Sequence, residues 1–152
     1  MITKIKLLFA DLERNIPNAY KINNEVSKGS IGWHIEHILL TVDRIVDRLS
    51  QTDSRNYKAT VTFPKLFVFA TGIIPKGRAK APELVRPVGE VNIESLRKHL
   101  KFTSEKINAL IQMEPGQYFE HPYFGHIKLK KTIKFLEIHT KHHLKIIKTI
   151  LV

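Results

Sequence analysis

His139 and His143 stand four residues apart in a run, Ile127 to Val152, that contains neither Pro nor Gly. On a helix that spacing leaves two side chains roughly 40° apart around the axis and one turn apart along it. Two imidazoles so placed can chelate a divalent cation. A third ligand from a facing helix would leave one position open for water or substrate, as catalytic rather than structural sites do. His142 is rotated about 100° from His143 and looks away from that face. A lone inward histidine is more often a hydrogen-bonded core residue, so the pair becomes informative only with a partner elsewhere.

Trp33-His34-Ile35-Glu36-His37 offers one. By helical phase His34 lies nearer the apolar stripe of its segment than His37, but phase does not say where a cleft opens. Both are candidates on spacing alone. Glu36 and Glu137 are candidates to orient ligand imidazoles, although surface carboxylates on helices are the commoner case. His121-Pro122-Tyr123-Phe124-Gly125 either walls a pocket beside the histidines or is an aromatic turn packing the end of the fold.

The chain has no cysteine, so it offers no thiolate ligand, no thiol nucleophile and no disulfide. A metal must be held by imidazole and oxygen, which suits Zn, Ni, Fe, Mn or Co. There is no His-Glu-x-x-His motif and no Gly-rich phosphate loop. Ser30 reads as a helix cap rather than a nucleophile, since no nucleophile-elbow motif surrounds it.

Four amphipathic helices must position these groups. Thr3 to Asn15 repeats Ile5, Leu8, Phe9 and Leu12. Pro17 ends or kinks that helix, and Asn18 to Val26 is a candidate continuation. Gly29 and Ser30 mark a stop and a start. Ile31 to about Ser50 carries a long stripe from Ile35 to Leu49. Lys58 to Phe63 alternates like a strand until Pro64, and Lys65 to Ile74 is apolar enough for a short helix. Pro75 to Val91 holds three prolines and two glycines and reads as a long irregular connection. Connections of that length are often functional or mobile. A third helix runs from about Ile93 to Gln112 with Asn92 as its cap, then the aromatic loop, then the histidine helix. The expected fold class is all-α: a four-helix bundle with a long irregular crossover between the second and third main helices.

A length of 152 residues, 43% hydrophobic and 26% charged, suits one domain over 1–152. No apolar run approaches the roughly 20 residues of a membrane span. Asp11 and Glu13 interrupt Leu7-Leu8-Phe9-Ala10 too soon for a secretory leader. The expectation is a cytoplasmic protein with no membrane partner. Lys and Arg number 25 against 14 Asp and Glu, a formal charge of +11, which raises nucleic acid as a partner. The basic residues are spread along the chain without interleaved aromatics, and the nearest cluster is Lys76, Arg78, Lys80 and Arg86. A solvated basic surface is the simpler account, and it would also draw in an anionic substrate.

Ser30-Ile31-Gly32-Trp33-His34-Ile35-Glu36-His37-Ile38, His121-Pro122-Tyr123-Phe124-Gly125 and His139-x-x-His142-His143-Leu144 together resemble the DinB/YfiT-like family of metal-dependent four-helix-bundle proteins. Order and spacing fit along most of the chain. The resemblance implies a metal held by three histidines: His37 from the second helix, and His139 and His143 from the last. His34, Glu36, His121, Tyr123 and His142 would then lie around it. Relatives often carry Trp eight positions before the first ligand; that position is Gly29 here, and Trp33 is the nearby indole. Some relatives transfer low-molecular-weight thiols such as bacillithiol, or use mycothiol in isomerisation. The implied function is a metal-dependent S-transferase or hydrolase acting on a small molecule. Its cofactor would be a divalent ion (Zn, Ni, Fe or Mn), with a low-molecular-weight thiol as cosubstrate and a homodimer as one assembly. The alternatives are a nucleic-acid-binding or regulatory helical protein, or a bundle that has lost catalysis.

Overall fold

A computed structural model describes residues 1–77 and 80–152; Arg78, part of the basic cluster above, lies outside them. The described chain is mostly helical with one small two-stranded sheet. Five helices follow in order: α1 (Ile2–Asn15), α2 (Ile31–Ser50), α3 (Phe63–Thr71), α4 (Ile93–Lys106) and α5 (Leu129–Leu151). Strands β1 (Tyr118–His121) and β2 (Gly125–Lys128) form an antiparallel hairpin just before α5. α2 packs on α4 and α5, and α1 on α5 and α4. Their stripes meet in one core that includes Ile5, Phe9, Ile38, Val42, Leu100 and Leu136. No helix among the described residues is long and apolar enough to cross a membrane.

The caps follow the local chemistry. The Ser30 hydroxyl accepts the Trp33 N–H at 3.1 Å, and the Asn92 side chain accepts the Ser95 N–H at 3.0 Å. Thr62 caps α3, and Pro64 sits in its first turn, where a missing N–H leaves nothing unsatisfied. α4 stops at Lys106, and the chain tightens into a 3₁₀ turn, Ile107–Ile111, within the segment expected to remain α-helical.

Three expectations are overturned. Asn18 to Val26 is not helical: a short 3₁₀ turn, Ile16–Asn18, gives way to turns. Lys58 to Phe63 pairs with no strand among the described residues. It runs extended beside the hairpin, which it grips by side chains: Thr60 Oγ1 donates to the Phe124 carbonyl at 2.8 Å, and His126 Nδ1 accepts the Lys58 N–H at 2.9 Å. The aromatic loop is the hairpin, whose four-residue strands were too short to stand out as alternation. Gly125 closes its turn at φ 66°, a conformation that L-residues with a Cβ rarely adopt.

Lys65 locks this layer together. Its buried ammonium donates to the carbonyls of Thr60 at 3.0 Å and His126 at 2.8 Å. α5 is buried on every side from Phe135 to Thr140, since it is flanked by α1, α2 and the hairpin. Glu137 is therefore buried, and its carboxylate is held by Lys141 at 2.7 Å rather than by an imidazole.

A second polar contact ties α2 to α4. His99 Nδ1 lies 2.9 Å from both carboxylate oxygens of Glu36, and its Nε2 lies 2.8 Å from Asp43. Burial alone would lower the His99 pKa, but the bonds to Asp43 and Glu36 outweigh it and raise the value to about 9. The ring is an imidazolium between two carboxylates at neutral pH. In the unfolded chain its pKa is near 6.5, so the stabilisation is complete below that value and fades as the pH rises through about 9. Replacing His99 with Leu should cost about 3 kcal/mol of unfolding free energy near pH 6. Urea denaturation should show the deficit shrinking as the pH rises from about 6.5 and largely gone above about 9; a deficit independent of pH would contradict the charged clamp.

Candidate metal centre

His37 comes from the second turn of α2, His139 and His143 from successive turns of α5, and all three are buried. Each offers a ligand nitrogen, and these three atoms lie within 4.8 Å of one another. Ring centroids are 5.1 Å apart for His37 and His139, and 4.7 Å apart for the pairs His37–His143 and His139–His143. Spacing left His34 and His37 open as the α2 contributor. The structure brings His37 into the group of three and sets His34 behind His143.

Hydrogen bonds outside the cluster decide where the protons sit. His37 Nδ1 is 2.7 Å from the Val85 carbonyl, which can only accept. The neutral ring therefore carries its proton on Nδ1 and its lone pair on Nε2. His34 Nδ1 meets His143 Nδ1 at 2.9 Å, and His34 Nε2 meets the Ser27 hydroxyl at 2.9 Å. One consistent pattern has His143 donating to His34 and His34 donating to Ser27, which frees His143 Nε2 as an acceptor. A ligand histidine whose other nitrogen is anchored in this way is held in tautomer and orientation. His139 Nδ1 is buried with no hydrogen-bond partner among the described residues.

All these rings are held neutral. Burial, reinforced by neighbouring imidazoles, pushes His139 and His143 well below the usual histidine range; burial also lowers His37. His34 falls to about 4, first through burial and then through the charges of His37, His142 and Lys76. Lys76 reaches the Val26 carbonyl, beside Ser27, and so places a cation near this edge. Three converging neutral imidazoles suit a divalent ion of borderline softness, and the unpartnered nitrogen of His139 is a buried polar atom that such an ion could satisfy. The donor set fits a metal.

A family model described as the DinB superfamily matches residues 14–147. The chain belongs to the DinB superfamily. No curated protein and no solved structure matches the chain. The departure noted at Gly29 has a local explanation in this DinB protein. The Trp33 indole stacks on His37, with centroids 5.2 Å apart and planes at 16°. The same indole lies over Gly29, where a Cβ would come within 2.9 Å of it. Gly29 thus leaves room for the ring that covers His37.

The other expected site residues divide. His142 is half-buried and meets His143 edge-on at 5.0 Å. His121 stacks on Phe124 at 4.0 Å and meets Phe135 at 5.0 Å, and Phe135 in turn lies 5.8 Å from His139. His121 Nδ1 accepts the backbone N–H groups of Tyr123 and Phe124, and burial lowers its pKa to about 4. The hairpin therefore backs the cluster at one remove: His121 and Phe124 pack on Phe135 of α5, which lies against His139. Tyr123 points outward and is exposed. Glu36 does not orient a ligand imidazole, because His99 occupies its carboxylate. Sequence spacing gave no sign of Ser27 or Val85, which act through a turn and a backbone carbonyl, nor of Phe135, which reads as ordinary core.

Each of these rings binds a proton less readily in the fold than in the unfolded chain. Stability of the metal-free protein is therefore complete above about pH 6.5 and is lost as the pH falls toward 4, with His34 alone contributing of order 3 kcal/mol. Ring-resonance NMR titration should find His34 and His121 neutral to about pH 4. A His34 that titrates near 6.5 would contradict the buried relay.

Proposed function

We propose that this DinB protein is a metal-dependent enzyme, a single four-helix-bundle domain over 1–152, acting on a small molecule with His37, His139 and His143 as metal ligands. The observation that carries the reading is the convergence of three buried, neutral ring nitrogens within 4.8 Å. A zinc, nickel, iron or manganese ion held there would supply Lewis-acid chemistry, lowering the pKa of a thiol or water in its open position. Because the chain has no cysteine, a reacting thiol has to arrive as a low-molecular-weight cosubstrate. Transfer to or from such a thiol is the preferred reaction class, and hydrolysis is its close relative on the same site.

The protein's own groups have distinct tasks in this reading. Val85 and His34 hold protons at the Nδ1 atoms of His37 and His143, so the ligand rings need not reorient when a cation binds. Trp33 covers His37, while Phe135 lies against His139; together they keep bulk water off the cluster and strengthen electrostatics within it. Lys76 places a positive charge beside His34 and His142, which favours an anionic substrate at that edge.

Purified protein should retain about one divalent ion per chain, and the His139→Ala, His143→Ala double variant none. Elemental analysis checks this, and equal metal content in both proteins would remove the site. His34→Ala should keep the site but weaken binding about 10- to 100-fold. Fluorescence of Trp33, the single tryptophan, should follow the titration because its ring stacks on His37. Unchanged affinity in His34→Ala would show that the relay is structurally incidental.

A further inference from the structure

We infer that the outer face of α3, with the hairpin tip beside it, is a docking surface for an anionic lipid bilayer. Phe63 is 79% exposed and Leu66 57%, and Val61, just before the helix, is 81% exposed. Phe63 and Phe67 stack on each other at 6.4 Å and so present one continuous aromatic surface. The Thr62 hydroxyl donates to the Tyr123 carbonyl at 3.1 Å, which sets exposed Tyr123 at the N-terminal end of the same helix. Only Lys65 and Val68 of α3 are buried. A nine-residue helix that turns Lys65, Val68 and Phe69 to the fold and leaves Phe63, Leu66 and Phe67 in water has an unpartnered side.

Charge selects the occupant. From Ser54 to Pro82 the sequence contains no Asp or Glu. Basic side chains adjoin the patch: exposed Lys131 places its Nζ 5.8 Å from the Phe69 ring of α3, and exposed Lys58 lies in the extended segment that leads into the helix, its backbone N–H held by His126 of the hairpin. Glu120 is the one acidic residue between Pro115 and Leu136. A second copy of the chain, itself at +11, would bring like charges together around the apolar centre. An anionic bilayer instead accepts the aromatic side chains at the headgroup boundary while its phosphates meet the lysines. The expectation of no membrane partner came from the lack of a spanning run, and a helix lying on the surface needs none.

This inference does not depend on the metal site. Vesicle co-sedimentation of the full chain tests it, with phosphatidylcholine alone compared with phosphatidylcholine containing about one-third phosphatidylglycerol. The chain should sediment with the anionic vesicles only and be released as salt rises. Phe63→Ser with Leu66→Ser should weaken binding about tenfold or more, and Lys58→Glu with Lys131→Glu should do the same without touching the apolar centre. These side chains are exposed, so melting curves should match the parent and exclude unfolding as the cause. Failure to bind anionic vesicles, or binding unaffected by the apolar variant, overturns the inference. So does a dimer in sedimentation velocity that the apolar variant dissolves, which would assign the surface to a second copy.

Discussion

Placing several imidazoles inside a helical core is the constraint on which the architecture turns. A buried polar atom without a partner costs about 1–3 kcal/mol, and a buried charge costs more. The fold meets this by keeping the rings neutral and giving nearly every outer nitrogen a fixed partner: Val85 for His37, His34 for His143, Ser27 for His34. His139 Nδ1, the nitrogen that a cation could satisfy, has no hydrogen-bond partner among the described residues. Elsewhere the same α2 carries a histidine contact of the opposite kind, with the His99 imidazolium between two carboxylates. Environment alone separates a histidine that stays charged from a group that stays neutral.

The irregular parts of the chain do much of the positioning. α2 and α5 bring the rings together, but the carbonyl that fixes His37 comes from the 3₁₀ turn Glu83–Val85 in the long connection. The residue that anchors His34 lies in the turn before α2. The hairpin supplies an aromatic wall and is itself held by Thr60, Thr62 and Lys65 from the opposite side of the crossover. The crossover thus acts as the outer support of the histidine cluster as well as a link between helices.

Helical periodicity made α1, α2 and α5 legible, because long apolar stripes leave few alternatives, and α2 has the Ser30 cap as well. The i, i+4 spacing of His139 and His143 likewise foretold that they share a face. The choice between His34 and His37 was beyond helical phase, since both are buried and only the angle between α2 and α5 separates them. Glu137 read as a surface carboxylate because its burial comes from α5 being enclosed on all sides, which is a property of the packing. The hairpin was missed for a different reason: its strands are four residues long and its pairing is between neighbours no periodic pattern reveals. Ser27, Val85 and Phe135 contribute through a hydroxyl in a turn, a main-chain carbonyl and an aromatic core side chain, none of which carries a sequence signal of chemistry.

The most direct test of the three-histidine centre is X-ray absorption spectroscopy on protein loaded with one equivalent of zinc. Three imidazole nitrogens at about 2.0–2.1 Å, with outer-shell scattering from the rings and one additional oxygen ligand from water, is the predicted result. A first shell made mostly of oxygen, or fewer than three imidazoles, would contradict the account.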